Sequence, residues 1–276
     1  MHETRPRHAS AFRHNPEGNA LAPQQGTRIW GESLNPRYFQ SGGPMNQPVQ
    51  ATYTGYAGEV TSAEQRNRVL RNTYWLLALS MVPTVLGAWI GVSTGLMRGM
   101  GAGMSAIIFL GGAFGLMFAI EKTKNSAAGV PVLLGFTFFM GLMLSRMIGA
   151  VLGQANGAGL IMTAFAGTGL IFFGMAALSS VIKRDLSAMG KFLFIGMVMV
   201  FVAAIANIFL QSSALMITIS VLAIGIFSAF ILYDLKRVKD GEETNYISAT
   251  LGVYLSLYNV FQSLLAILGF SNSSGD

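Results

Sequence analysis

The sequence predicts an all-α, polytopic membrane bundle of seven transmembrane helices, and three observations carry that expectation. The chain is 52% hydrophobic and only 11% charged, where a soluble domain carries about 25% charged residues. Its apolar residues gather into seven runs, at about 74–97, 102–120, 129–151, 160–182, 192–210, 214–233 and 246–270. Each is close to the roughly 20 residues that a helix needs to cross a bilayer core. The connections are short and leave no room for a soluble domain between spans. A barrel would need alternating strands of about ten residues instead.

Residues 1–65 precede this membrane domain, which covers 66–276. They are rich in Pro, Gly, Gln, Asn and Arg and have no hydrophobic period. Such a composition cannot bury enough surface to offset chain entropy, so a disordered tail is expected. No apolar run follows Met1, which argues against a secretory signal peptide. His2, His8 and His14 match no metal-ligand spacing. Met45 offers a second start, which would leave residues 1–44 outside the natural product.

The first span contains Pro83 and a strip of glycines, Gly87, Gly91 and Gly95, at four-residue intervals. Such a strip lets a neighbouring helix approach closely in lipid. Gly111 and Gly115 repeat the spacing in the second span. Arg146 lies near the end of the third, where its stem can snorkel to the interface as a helix-end anchor; a place in an ion path is the other reading. Asp234 follows the sixth span. It is either a partly buried carboxylate or a solvated residue paired with a nearby lysine.

The seventh run is the most polar. Thr250, Tyr254, Tyr258 and Gln262 share one column at a spacing of four, and Ser256, Asn259 and Ser263 lie around the other side. Polar atoms on two faces mean a helix enclosed by protein or lining a cavity, with packing contacts the plainer explanation.

Loop cations set the orientation. Arg66, Arg68 and Arg71, then Lys122 and Lys124, then Lys183, Arg184 and Lys191, then Lys236, Arg237 and Lys239 all fall on one side, and Arg98 alone on the other. The positive-inside rule puts the N-terminus in the cytoplasm and, after seven spans, the C-terminus outside. A six-span alternative has the last run re-entrant. The net charge of +6 reflects these loops, and no nucleic-acid partner is expected.

Enzyme templates fail. The chain has no Cys, and no His beyond the tail, so His-based triads and His-ligated zinc sites are excluded. The last run holds no Lys for a retinal Schiff base. No cofactor or metal is expected.

The stretch from Gly241 through Glu242, Glu243, Thr244, Asn245 and Tyr246 into Tyr254-Leu-Ser-Leu-Tyr-Asn-Val-Phe resembles the C-terminal signature of the Bax inhibitor family, nearest its bacterial YccA branch. Val69-Leu-Arg-Asn-Thr-Tyr and Ala206-Asn-Ile-Phe-Leu-Gln are similar to that branch as well. The resemblance covers about residues 68–270. It implies a bacterial inner-membrane protein that binds the membrane AAA protease FtsH as a slow substrate and modulates it, gripped by a cytoplasmic tail. Other members of the family imply a calcium or proton leak channel, closed by two Asp carboxylates that share a proton. Asp234 matches the first carboxylate. Ser256 stands at the second and cannot titrate, so the shared-proton sensor is absent as drawn. Tyr258 and Asn259 belong to the same signature.

Overall fold

A computed structural model describes residues 62–97 and 99–273. The tail through residue 61, with the three histidines and the Met45 start, lies outside the described residues, as does Arg98. The helices are α1 Ala63–Thr94, α2 Ala102–Thr123, α3 Gly129–Leu152, α4 Gly157–Val181, α5 Ser187–Leu210, α6 Ser213–Asp240 and α7 Tyr246–Ser273. All seven are long and apolar enough to cross a membrane.

Two helices outrun their apolar segments. The Ser62 hydroxyl accepts the Gln65 N–H at 3.2 Å, and Glu64 in the first turn suits the positive end of the helix dipole. So α1 starts about three turns before Tyr74, and it continues through Pro83. At the same end α6 continues about two turns past Tyr233, which puts Asp234 on a helix rather than in a loop. The two extensions meet where Val69, Val238 and Ala249 pack together. The last segment is one unbroken helix of 28 residues, about 42 Å at 1.5 Å per residue. That is long enough for a full crossing, and the helix has no break at which a re-entrant segment would turn back.

Polarity decides the layout. α7 sits in the middle, packed by α1, α3, α4 and α6, while α2 packs chiefly on α3 and α5 chiefly on α6. The outer helices turn large apolar side chains outward, among them Ile107, Phe114 and Phe118 on α2 and Phe192, Phe194 and Phe209 on α5. Hydrocarbon can solvate those groups. It cannot satisfy the hydroxyls of α7, which are therefore enclosed. Leu76 and Leu77 of α1, Phe136 and Met140 of α3, Ile231 and Leu235 of α6, and Val253 and Tyr254 of α7 form the centre of the core.

The closest helix contact is between α1 and α3, and it is made at glycines. A methyl added at Gly87 would overlap the Phe138 carbonyl, one at Gly91 the Ser145 side chain, and one at Gly141 the Thr84 carbonyl. Gly95 ends α1 in the left-handed region, at φ 64°. Gly111 and Gly115 depart from the expected packing role, since a Cβ added at either would meet nothing within 4 Å. The notch on α2 is Gly112, filled by the Phe139 ring.

Candidate functional site

The α6–α7 turn ties together one end of the bundle. Gly241 has φ 85°, and its N–H bonds the Arg237 and Val238 carbonyls. The Glu242 N–H joins at the Arg237 carbonyl, 2.9 Å away. That closes α6 with the glycine stop typical of helix ends. Asn245 opens α7: its Oδ1 accepts the N–H groups of Ile247 at 2.9 Å and Ser248 at 3.1 Å. The other half of the same amide reaches away, Nδ2 donating to the Lys124 carbonyl at 3.1 Å and to Asn125 Oδ1 at 2.8 Å. One side chain thus caps a helix and fastens the α2–α3 connection to it.

The two glutamates complete the arrangement. Glu243 Oε1 accepts the Asn245 N–H at 2.9 Å, and Arg237 lies 3.6 Å from Glu242 and 3.9 Å from Glu243. These pairs are part-exposed, so each is worth under about 1 kcal/mol. Their value is geometric, because Glu242 also accepts the Ser187 hydroxyl at 3.2 Å. Ser187 in turn bonds Asp185 through both its N–H and its hydroxyl, which holds the Asp185 carboxyl below the usual carboxylate range. The α4–α5 connection is thereby joined to the turn. Thr244 is exposed, and Tyr246 packs against Val69, Val238 and Ala249.

Nearby cations fasten the rest of this end. Lys236 pairs with Asp240. Lys239 donates to Ser179 Oγ at 2.8 Å, to Ser180 Oγ and to the Ala176 carbonyl, so it closes the C-terminal end of α4. Arg66 reaches the Lys239 carbonyl at 3.4 Å.

Asp234 faces inward from this tied end. It is half-buried, and its carboxylate lies against α7, where a Cβ on Gly252 would come within 2.8 Å of Oδ2. Among the described residues it accepts no hydrogen bond and forms no ion pair. Ser256, buried, sits one turn deeper on α7. Tyr258 is buried deeper still, with its hydroxyl 3.4 Å from the Met140 carbonyl, and Asn259 bonds back to Leu255 within its own helix. Arg146 lies at the far end. It is exposed and donates to Ser105 Oγ at 3.2 Å and the Met100 carbonyl at 3.5 Å, linking α3 to the start of α2. It shares no contact with Asp234. Among the described residues no three His, Asp or Glu side chains converge on a possible metal position.

Several participants escaped sequence reasoning. Asp185-Leu-Ser187 carries a readable side-chain turn signal, and Asn245 just before a helical run is a readable cap. Nothing in the sequence pointed to Asn125, Ser179 or Gly252, whose roles arise from contacts across helices.

Comparison with known proteins agrees with this architecture. Residues 66–273 match the family model described as inhibitor of apoptosis-promoting Bax1. A membrane protein of Vibrio cholerae is 38% identical over 211 residues, covering 76% of this chain and 92% of its own length. The modulator of FtsH protease YccA of Escherichia coli K12 is 40% identical over 212 residues, covering 77% of this chain and 94% of its own. The same degree of identity is found to a protein of E. coli O6:H1 named inner membrane protein YccA. The chain therefore belongs to the Bax inhibitor family of integral membrane proteins.

Proposed function

We propose that this chain is a non-enzymatic protein of the bacterial inner membrane that modulates an FtsH-type membrane protease, as its interactor and slow substrate. The observation that carries the reading is the 40% identity to the protein named as the modulator of FtsH, along 94% of that protein's length. The loop cations support an N-terminus in the cytoplasm and a C-terminus on the other side, so residues 1–65 are the segment offered to a cytoplasmic protease and 66–276 the body that resists it.

The packing supports slow extraction. A pull on the tail loads α1 first. That helix is held to α3 at Gly87, Gly91 and Gly141, to α7 through Thr84 and Tyr254, and to α6 through Arg66. Backbone-to-backbone contacts of this kind separate together rather than singly. The test is co-purification of the full chain with the protease, alongside half-lives of the intact chain and of one truncated before Ser62. Truncation is expected to lengthen the half-life several-fold. No complex and unchanged turnover would end this reading.

Asp234 favours a second reading, a proton or calcium leak controlled where α6 meets α7. A half-buried carboxylate without a hydrogen bond, pressed on the α7 backbone, can change its contacts on gaining or losing a proton. Ser256 cannot share that proton. In proteoliposomes, flux that ignores Asp234→Asn would remove this gate.

A further inference from the structure

An open groove of about 410 Å³ runs along the early part of α1, lined by Asn67, Leu70, Arg71, Tyr74 and Trp75. The spacing makes one continuous stripe on one helix face. The stripe crosses the level at which α1 changes character. Glu64, Arg66, Arg68 and Arg71 lie before it, and from Tyr74 to the end of α1 there is no charged residue. Whatever fills the groove must be polar at one end and apolar at the other.

The polar end is cationic and unused. Arg68 is paired with Glu64 at 2.7 Å, Arg66 is bonded to the Lys239 carbonyl, and Asp240 is taken by Lys236. Arg71 is exposed and, among the described residues, has neither an ion pair nor a hydrogen bond. At the apolar end Tyr74 rests edge-on against Phe172 of α4, and Trp75 is 73% exposed. These are side chains suited to the headgroup level of a bilayer. Below Trp75 the same face continues outward-facing through Leu79, Val82 and Leu86.

We propose that this groove is a binding site for an anionic glycerophospholipid. Its phosphate meets Arg71, with Asn67 as a second donor. The glycerol region crosses Leu70 and Tyr74, and an acyl chain follows Trp75 and Leu79 into the bilayer. A guanidinium recognises a phosphate through paired N–H donors, which distinguishes it from a general surface charge. An extended polypeptide segment does not fit the lower half, because its backbone would enter hydrocarbon with unpaired polar groups.

The test uses the purified full-length protein in neutral detergent, given phosphatidylglycerol or phosphatidylcholine with identical acyl chains. Retained lipid is counted by native mass spectrometry, and thermal midpoints are measured in parallel. Phosphatidylglycerol is expected to be retained and to raise the midpoint. Arg71→Gln should weaken retention about fivefold, in line with one cation at a membrane surface, and Arg71→Lys should recover part of it. Arg184→Gln, on the α4–α5 connection, should leave retention unchanged. The proposal is overturned if Arg71→Gln retains the lipid fully, if Arg184→Gln loses as much, or if phosphatidylcholine is held equally well. Equal losses would mean diffuse charge attraction, and equal lipids, which share the phosphodiester, a site that does not select an anionic headgroup.

Discussion

Tyr254 of α7 and Thr84 of α1 meet hydroxyl to hydroxyl at 2.9 Å in the interior of the bundle. The Thr84 hydroxyl also reaches the Ser80 carbonyl at 2.8 Å. The Thr137 carbonyl of α3 lies 3.4 Å from the same tyrosine oxygen. One phenol therefore joins three helices. A double-mutant cycle of Tyr254→Phe and Thr84→Val should give a coupling of about 1 kcal/mol, within the range for hydrogen bonds between membrane helices. Unfolding in mixed detergent measures it, and a coupling of zero would mean the contact is only spatial.

Two glycines, one at a helix contact and one facing open space, should respond in opposite ways. Gly141→Ala drives a methyl into the Thr84 backbone, which cannot rotate away, and should cost about 1–3 kcal/mol or more. Gly111→Ala meets open space and should be neutral or stabilising by up to about 1 kcal/mol. The same unfolding assay compares them. If the modulator reading holds, Gly141→Ala should also shorten the half-life in cells carrying the protease.

Asn245 does two jobs with the two ends of one amide, and two substitutions separate them. Asn245→Ala should lose both, costing about 1 kcal/mol for the cap alone, with faster hydrogen exchange in the first turn of α7 and at Lys124 and Asn125. Asn245→Asp keeps the capping oxygen and loses the Nδ2 donor. Its exchange should rise only at the α2–α3 connection. Equal effects from both variants would contradict the division of roles.

Asp185 gives the basic end a pH dependence of known sign. Bonds from Ser187 favour the charged carboxylate in the folded protein and lower its titration point. That stabilisation is present above the unfolded value, about pH 4, and is lost as pH falls through the lower folded value. Carboxyl carbon shifts should show Asp185 titrating below the ordinary aspartate range, and Ser187→Ala should move it upward. A wild-type value equal to the variant's would show that the bonds do not favour the carboxylate.

The count of helices was legible because a bilayer demands about 20 apolar residues each time the chain crosses it, and nothing else in the chain imitates that. The extensions of α1 and α6 were not, because their residues are polar. Their helicity comes from the Ser62 cap and from mutual packing at Val69 and Val238, not from hydropathy. Glycine spacing marked Gly87 and Gly91 correctly and Gly111 and Gly115 wrongly. A four-residue interval says that glycines share a face and nothing about which way the face turns. Gly141, the deepest notch, stands in no such interval. Likewise the polar column of α7 announced enclosure, but only the fold reveals that Asp234 looks onto Gly252 with Ser256 a turn away.

The central position of α7 bears on how the protein is made. Synthesis delivers the middle of the bundle after its surroundings, for α1, α3, α4 and α6 are all translated before it. Until α7 arrives, Thr84 lacks its phenol, the α2–α3 connection lacks Asn245, and the gap between the earlier helices must be filled by lipid or by loose contact. A nascent chain stalled before Tyr246 is thus inserted but hollow, and its hydroxyls are open to any passing helix. Arrival of α7 and closure of the bundle become one event, which gives a clear physical difference between copies with and without that helix.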